Sequence, residues 1–237
     1  MNKFNNDFHI VGHRGAADEY FENSLQGILH CVSIGIDAIE IDIREHSSEL
    51  WVIHDHDLQR LCGISGFFEN QADISSLRLL NGESIPTLDQ VLDLTWGKVP
   101  LMIEIKSVQN LDLLLDLLAQ YPAIDSTTGI PWILISSFNH RALLKLRQRG
   151  CDWPLSPITN GVPIHCETLI ESVNPWSWHF DDNYLDFELI NELHEQNIPS
   201  LVFTVNDADR AIELQTLGVA GVFTDQPTRM MQLKIDP

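Results

Sequence analysis

Residues 38–43 read Ala-Ile-Glu-Ile-Asp-Ile, a short run rich in β-branched residues. Apolar runs of this length recur along the chain, and most do not alternate between apolar and polar residues, which is typical of parallel strands buried on both faces. The runs are Phe8–Val11, Ala38–Ile43, Leu50–Ile53, Leu101–Ile105, Trp132–Ser136, Leu155–Ile158, Trp178–Phe180, Leu201–Val205 and Gly221–Thr224. Together they predict a mainly parallel sheet.

Helix-like segments separate many of these runs. Apolar residues at helical spacing occur in Leu111–Gln120, Arg141–Arg149, Phe187–Gln196 and Ala208–Leu217. Gly150 and Gly218 each follow such a segment, at the position where glycine commonly ends a helix. Asn206-Asp207 precedes another segment, where a side-chain oxygen commonly caps a helix.

Roughly eight strand–helix units in a chain of this length predict an α/β fold, a TIM (β/α)8 barrel, as a single domain over residues 1–237. A doubly wound sheet is the alternative, but it needs fewer strands and favours a glycine-rich first turn that is absent here. Residues 56–86 are too long for a plain strand-to-helix connection, so we expect an insertion over one barrel mouth. Its apolar side chains would pack on the barrel or receive an acyl chain; they are Leu61, Ile64, Phe67 and Phe68.

The composition argues against several classes of partner. Lys and Arg number 14 and Asp and Glu 34, for a formal net charge of -20, and such a chain is repelled by nucleic acids and anionic membrane surfaces. The N-terminus has no basic and apolar leader, and no apolar run approaches the ~18 residues of a membrane span. The four cysteines are scattered and predict reduced thiols. We expect a cytoplasmic protein with no nucleic-acid partner and no integral membrane segment, and a homo-oligomer is compatible with this composition.

Acidic residues fall within two neighbouring strands. Glu40 and Asp42 are two apart and therefore share a face, and Glu104 adds a third carboxylate on the next barrel strand. Buried acids side by side are costly unless a cation neutralises them, and an all-oxygen set favours Mg²⁺, Ca²⁺ or Mn²⁺ over Zn²⁺. The alternative is a structural ion pair with Lys106 or Arg44.

Two histidines also follow predicted strands. His13 and His54 end two different strands on the same expected rim. Their near-neutral pKa range suits a general acid and a general base. Arg14, next to His13, offers a fork of donors that suits a phosphate group.

The order of these motifs resembles the glycerophosphodiester phosphodiesterase family, in its cytoplasmic bacterial type. The match runs from His13 to Pro227. The matching segments are His13-Arg14-Gly15, Glu22-Asn23, Glu40-x-Asp42, His54-Asp55 with Leu58 and Arg60, Ile85-Pro86-Thr87-Leu88, Ile103-Glu104-Ile105-Lys106, Ser137-Phe138, Thr204-Val205-Asn206 and Gly221-Val222-Phe223-Thr224-Asp225-x-Pro227.

The resemblance implies a TIM barrel with a small insertion and a small-molecule substrate. Glycerophosphodiesters such as glycerophosphocholine or glycerophosphoethanolamine would be hydrolysed to glycerol 3-phosphate and an alcohol, through a cyclic phosphate. One divalent cation, Mg²⁺ or Ca²⁺ with Mn²⁺ as a further option, would be held by Glu40, Asp42 and Glu104. His13 and His54 would share the acid and base roles. The substrate-binding residues it implies are Arg14, Lys106, Glu22, Asn23 and Phe203.

The chain departs from the family pattern at a few positions. Phe21 stands where proline is common, and Phe203 replaces a usual tryptophan, which affects the apolar wall rather than the chemistry. Three other functions remain open. A metal-dependent amidohydrolase is suggested by His54-Asp55-His56 but leaves the acids of the second strand unexplained. A non-catalytic phosphoester-binding barrel and a lysophospholipase D activity are the other two.

Overall fold

The computed structural model of this protein describes residues 8–121 and 130–232. The N-terminal residues that bear on the prediction of no leader sequence lie largely outside this part of the chain. Within the described residues, no helix combines the length and the apolar character that crossing a membrane requires.

Strands and helices alternate along most of the chain, as the sequence predicts. The strands are β1 (His9–Gly12), β2 (Ala38–His46), β3 (Glu49–Val52), β4 (Leu101–Ser107), β5 (Ile133–Ser137), β6 (Leu155–Thr159), β7 (Trp178–Asp181), β8 (Ser200–Phe203) and β9 (Gly221–Thr224). The helices are α1 (Leu25–Ser33), α2 (Gln59–Cys62), α3 (Leu88–Thr95), α4 (Leu111–Leu118), α5 (His140–Gln148), α6 (Glu167–Val173), α7 (Phe187–Glu195), α8 (Ala208–Thr216) and α9 (Pro227–Gln232).

Eight of these strands close into a parallel barrel. Their order around it is β1-β9-β8-β7-β6-β5-β4-β2, and the pairing of β1 with β2 closes the ring. The predicted TIM barrel is confirmed. Helix ends follow their local signals: Asp207 accepts from the Arg210 N–H at the start of α8, and Gly150 and Gly218 adopt φ values of 76° and 86°, which glycine tolerates.

The strand β3 lies outside the barrel. It pairs antiparallel with the end of β2, although its apolar run alone resembles a barrel strand. Ser47 and Ser48 join the two strands at φ values of 52° and 61°, as a two-residue hairpin turn requires. A connection this short forces antiparallel pairing, because a parallel neighbour needs a long crossover.

Successive side chains of β2 point alternately toward the surrounding helices and into the barrel. Ile39, Ile41 and Ile43 join the large cluster that includes core residues of the surrounding helices. Their neighbours face the other way, into the barrel. The smaller cluster that contains inward-facing strand residues comprises Val11, Ala38, Met102, Ile130, Leu134, Leu201 and Phe223. Glu40 and Asp42 follow Ala38 on the same face of β2 and therefore lie nearer the carboxyl end of that strand than this cluster member does.

The insertion at residues 56–86 shares a small core with the end of β3, separate from the large core around the barrel. Leu61 and Phe68 are buried in it, whereas Ile64 and Phe67 are exposed. Phe67 stacks on His56 with ring centroids 5.2 Å apart. The core consists of Trp51, Ile53, Leu58, Leu61, Phe68, Ile74, Leu79 and Ile85. The insertion thus packs beside the mouth, and two of its four predicted apolar side chains serve that packing.

Candidate active site

A small cavity opens at the carboxyl ends of the barrel strands. Its volume is about 160 Å³, below the roughly 300–1,000 Å³ of drug-sized ligand pockets. It is lined by His13, Arg14, Glu40, His54, Glu104, Lys106, Ser136, Phe138, Ile158, His179, Phe203, Thr204 and Phe223. None of these belongs to the insertion, so the part of the insertion that the structure describes does not line the cavity.

The three predicted acids converge beside the cavity. Asp42 and Glu104 are paired Cα neighbours on β2 and β4. One carboxylate oxygen from each of these two residues and from Glu40 lies within 4.8 Å of the others. The exposed fractions are 4% for Glu40, 1% for Asp42 and 7% for Glu104. The strand register therefore brings together three buried carboxylates, as the sequence indicated.

Two cationic side chains partly neutralise this cluster. Lys106 Nζ lies 3.1 Å from Asp42 Oδ1 and also contacts Glu104. Arg14 Nε lies 3.3 Å from Asp42 Oδ2, and the Arg14 backbone N–H donates to Glu40 Oε2 at 2.9 Å. The ion pair that the sequence offered as the alternative to a metal site is present between Lys106 and Glu104. Arg44 instead donates to the His54 carbonyl and Glu69.

Burial and neighbouring charges shift the pKa values of the three acids in different directions. Burial, together with the negative charge of Asp42, raises the pKa of Glu104 to about 7, and burial with the other two acids raises the pKa of Glu40 well above its ordinary value. Burial acts on Asp42 in the same direction, but the charges of Lys106 and Arg14 outweigh it and lower its pKa. The cluster as it stands therefore favours a bound proton unless a further cation is present.

The unsatisfied oxygens fit a divalent cation. Glu40 Oε1 is buried and accepts no hydrogen bond from any described residue, which is costly for a carboxylate. The cluster offers oxygen ligands alone, the donor set that Mg²⁺, Ca²⁺ and Mn²⁺ prefer. Over the described ranges, this is the group of acids, histidines or cysteines that could hold a metal ion.

His54 is held by a chain of charged side chains. Its Nδ1 lies 2.6 Å from Asp55 Oδ1, and Arg60 Nε donates to Asp55 Oδ2 at 2.6 Å. Burial acts to raise the pKa of Asp55, but hydrogen bonds from Arg60 and His54 lower it to about 2, so Asp55 is ionised at neutral pH. Burial also lowers the pKa of His54. A neutral His54 bonded through Nδ1–H keeps Nε2 as its proton acceptor.

His13 is held in the same manner, by an aspartate that is itself hydrogen-bonded. Its Nδ1 lies 2.7 Å from Asp225 Oδ1, and Asn206 Nδ2 donates to the other Asp225 oxygen at 2.9 Å. Thr224 and the Asp225 backbone N–H both donate to Asn206 Oδ1, which sets the direction of that amide. Both histidines therefore line the cavity with Nδ1 bound to an aspartate.

The other predicted substrate-binding residues fall into two groups. Arg14, Lys106 and Phe203 line the cavity. Glu22 and Asn23 are not on its wall: Glu22 accepts from Arg14 at 3.1 Å, and Asn23 Nδ2 donates to Asp42 at 2.8 Å. Their binding role remains a prediction, and their contacts in the structure are with residues that touch the cavity.

Some residues of the site were not anticipated from the sequence. Asp55 and Asp225 orient the two histidines, although each stood only as part of a motif, and the lining residues Ser136 and His179 were not predicted. The signal for Ser136 was available, because it lies in register with Glu104 across β4 and β5.

These features define a TIM-barrel enzyme with two histidine–aspartate pairs and a cluster of three carboxylates that could hold a metal ion. The model of the glycerophosphoryl diester phosphodiesterase family matches residues 13–229. The chain belongs to this family and is a phosphodiesterase, which confirms the resemblance drawn from the motifs.

Relatives and solved structures agree with this assignment. A glycerophosphodiester phosphodiesterase of Bacillus altitudinis is 26% identical over 95% of this chain and 97% of its own length. One of Caldanaerobacter subterraneus is 25% identical over 94% and 96%. An Oleispira antarctica phosphodiesterase, solved with its product sn-glycerol 3-phosphate, shares the fold with a TM-score of 0.86 at 23% identity, covering 97% of each chain.

Proposed function

We propose that this enzyme hydrolyses glycerophosphodiesters such as glycerophosphocholine and glycerophosphoethanolamine to glycerol 3-phosphate and an alcohol. The observation that carries the proposal is the placement of His13 and His54 on one small cavity with the acidic cluster. No described side chain is needed as a nucleophile, because the hydroxyl next to the phosphate-bearing carbon of glycerol is already close to phosphorus and has a high effective concentration.

The first step forms a cyclic phosphate. His54 Nε2 takes the proton of the secondary hydroxyl while that oxygen bonds to phosphorus. The bond from phosphorus to the head-group oxygen breaks, and protonated His13 gives its proton to the leaving alcohol. Asp55 stabilises the positive charge that His54 gains, because it accepts from its Nδ1 at 2.6 Å.

The second step reverses the two roles. His13, now neutral, takes a proton from water while the water oxygen bonds to phosphorus. The ring bond to the secondary oxygen breaks, and His54 returns its proton to that oxygen, which gives glycerol 3-phosphate. Both histidines are then back in their starting states.

Positive charge around the phosphate supports both steps. Arg14 and Lys106 line the cavity, and guanidinium and ammonium groups stabilise charge on phosphoryl oxygens. Glu40, Asp42 and Glu104 would hold one divalent cation, Mg²⁺, Ca²⁺ or Mn²⁺. When bound, such a cation supplies Lewis-acid stabilisation of the phosphoryl oxygens.

The test is release of glycerol 3-phosphate from glycerophosphocholine, measured with each cation and with EDTA. We expect release that EDTA abolishes, and loss of release in His13→Ala and His54→Ala. No release with any of the three cations would contradict the proposal. Metal-dependent release that persists in either histidine variant would contradict the assigned roles but not the activity.

The remaining predictions concern the setting of the enzyme. We propose a small-molecule diester as its partner and the cytoplasm as its location, with no nucleic acid bound. An excess of 20 negative charges supports the last point. A filter-binding assay with duplex DNA tests the absence of nucleic-acid binding, and cell fractionation tests the location. Gel filtration against size standards tests whether the chain forms a homo-oligomer.

A further inference from the structure

The main chain at His54 lies in a connection between two regular elements. β3 ends at Val52 and α2 begins at Gln59, and the connecting residues 53–58 belong to neither. The ring of His54 is fixed through Asp55, but its position also depends on the main chain that carries it. The groups that bind this main chain therefore bear on catalysis.

Arg44, near the end of β2, binds the His54 carbonyl. Its Nε donates to that oxygen at 2.9 Å, and its side chain is only 13% exposed. A hydrogen bond from a charged donor is roughly twice as strong as one between neutral groups. Arg44 pairs with Trp51 across β2 and β3, and residues opposite each other in such a pair share a face. Trp51 belongs to the small core of the insertion, so Arg44 lies on the side of the hairpin that the insertion covers.

Glu69, in the insertion, binds the other end of the same guanidinium group. Arg44 NH1 donates to Glu69 Oε1 at 3.2 Å. Burial lowers the pKa of Arg44, and among the acids that oppose this shift Glu69 has the largest effect. Glu69 directly follows Phe68, which is fully buried in the small core. Packing of the insertion therefore determines where the Glu69 carboxylate lies, and Arg44 connects that carboxylate to the main chain of His54.

We propose that Arg44 is a positioning residue for His54, and that the packed insertion, through Glu69, keeps Arg44 in that position. This inference rests on the proposed function, in which His54 exchanges a proton in both steps. A displacement of ~1 Å in a reacting group can cost ~100-fold in rate. The proposed phosphate-binding residues are held elsewhere, Arg14 by Glu22 and Lys106 by Asp42, so loss of Arg44 should affect the rate and not substrate binding.

The test is steady-state kinetics of Arg44→Met with glycerophosphocholine at saturating cation. We expect kcat to fall by about tenfold or more and KM to stay within twofold of the wild type. Arg44→Lys keeps a charged donor for the carbonyl but not the fork that also reaches Glu69, so it should recover part of kcat. If Arg44 acted instead through its charge on the acidic cluster, raising the cation concentration would restore the rate of Arg44→Met, and that result would overturn the inference.

A second pair of measurements separates positioning from general loss of structure. The residual rate of His54→Ala, measured at high enzyme concentration, should not fall further when Arg44→Met is added, because the residue through which Arg44 acts is gone. Glu69→Gln should lower kcat by a smaller factor and should add nothing to Arg44→Met. Losses that simply multiply in either double variant would contradict the proposed path.

Arg147→Met is the matched control. Arg147 also donates to main-chain carbonyls, those of Val173 at 2.7 Å and Trp153 at 2.8 Å, but it lies on α5 and does not line the cavity. That variant should lower the melting temperature and keep its kcat. Asp73→Asn is the control for Glu69→Gln, because Asp73 is an acid of the insertion that accepts from the nearby Ser75.

The outcomes separate this inference from the proposed function. Wild-type turnover together with a kcat for Arg44→Met within twofold of the wild type, or an equal loss in Arg147→Met, would overturn the inference and leave the proposed function standing. If Arg44→Met does not fold, Arg44→Lys and Glu69→Gln decide, and full kcat in both would overturn it. If the wild type hydrolyses no glycerophosphocholine with any of the three cations, the proposed function fails and this inference fails with it.

Discussion

Arg60 links the insertion to both halves of the active site. Its Nε donates to Asp55 at 2.6 Å, and its NH2 donates to Glu22 at 2.8 Å. Asp55 holds His54, and Glu22 accepts from Arg14. Replacing Arg60 should therefore loosen a histidine and a phosphate-binding arginine together.

The size of the effect follows from these contacts. Arg60 is 52% exposed, so each ion pair contributes only about 0.2–1 kcal/mol, and Arg60→Met should lower the free energy of unfolding by about 1–2 kcal/mol. The effect on activity is larger, because a displacement of ~1 Å in a reacting group can cost ~100-fold. We expect kcat to fall by about ten- to a hundredfold. Arg60→Lys keeps one charge but not the planar fork and should recover part of the loss.

The assay is steady-state kinetics with glycerophosphocholine beside urea unfolding of each variant. Arg78→Met is the control, because Arg78 lies in the same insertion and its NH1 donates to the Ser75 and Leu77 carbonyls at 2.9 and 2.7 Å. That variant should lose stability and keep its kcat. If Arg60→Met is destabilised but retains a kcat within twofold of the control, the network is only structural and the reasoning is refuted.

Three other variants test separate parts of the molecule. Asp225→Asn should lower kcat by at least about 100-fold, since His13 loses the acceptor that sets its ring and a positioned acid or base contributes about that much; a change below tenfold in steady-state kinetics would contradict the pairing. His179 binds no proton when folded until about pH 3 but binds one near 6.5 when unfolded, so its contribution to stability falls as the pH drops below 6.5. Urea unfolding at pH 6.5 and 4.5 should show the wild type losing about 2 kcal/mol more than His179→Phe, and equal losses would refute the buried neutral ring. Phe68→Ala should cost about 3 kcal/mol and expose residues 56–86 to limited proteolysis, whereas unchanged cleavage would mean that the insertion does not depend on its core.

The barrel and the acidic cluster were predictable because their signals are local. Isoleucines at alternate positions of residues 38–43 set which face is buried, and that choice turns Glu40 and Asp42 inward. Glu104 then reaches the same site through an in-register neighbouring strand. The alternation of side chains along β2, together with the placement of β4 next to it, was sufficient to predict where the three acids meet.

Contacts between distant residues were not predictable in this way. His13 and Asp225 are separated by 212 positions, and only the pairing of the first strand, β1, with the last, β9, brings them together. The direction of β3 depends on the φ angles of Ser47 and Ser48, two residues that seldom signal such a turn. No described residue hydrogen-bonds to the Ser136 hydroxyl, and this is visible only once every neighbouring donor and acceptor has been placed.

The metal site is the central claim, and titration of metal-stripped protein tests it most directly. Calorimetry with Mn²⁺, Mg²⁺ and Ca²⁺ should show one bound cation per chain for at least one of them, and glycerol 3-phosphate release should rise in parallel and saturate at one equivalent. Glu40→Gln removes the charge of the carboxylate whose Oε1 accepts no hydrogen bond from any described residue. It should weaken both cation binding and glycerol 3-phosphate release by at least tenfold. Full activity in the metal-stripped protein, or cation binding unchanged in Glu40→Gln, would contradict the account.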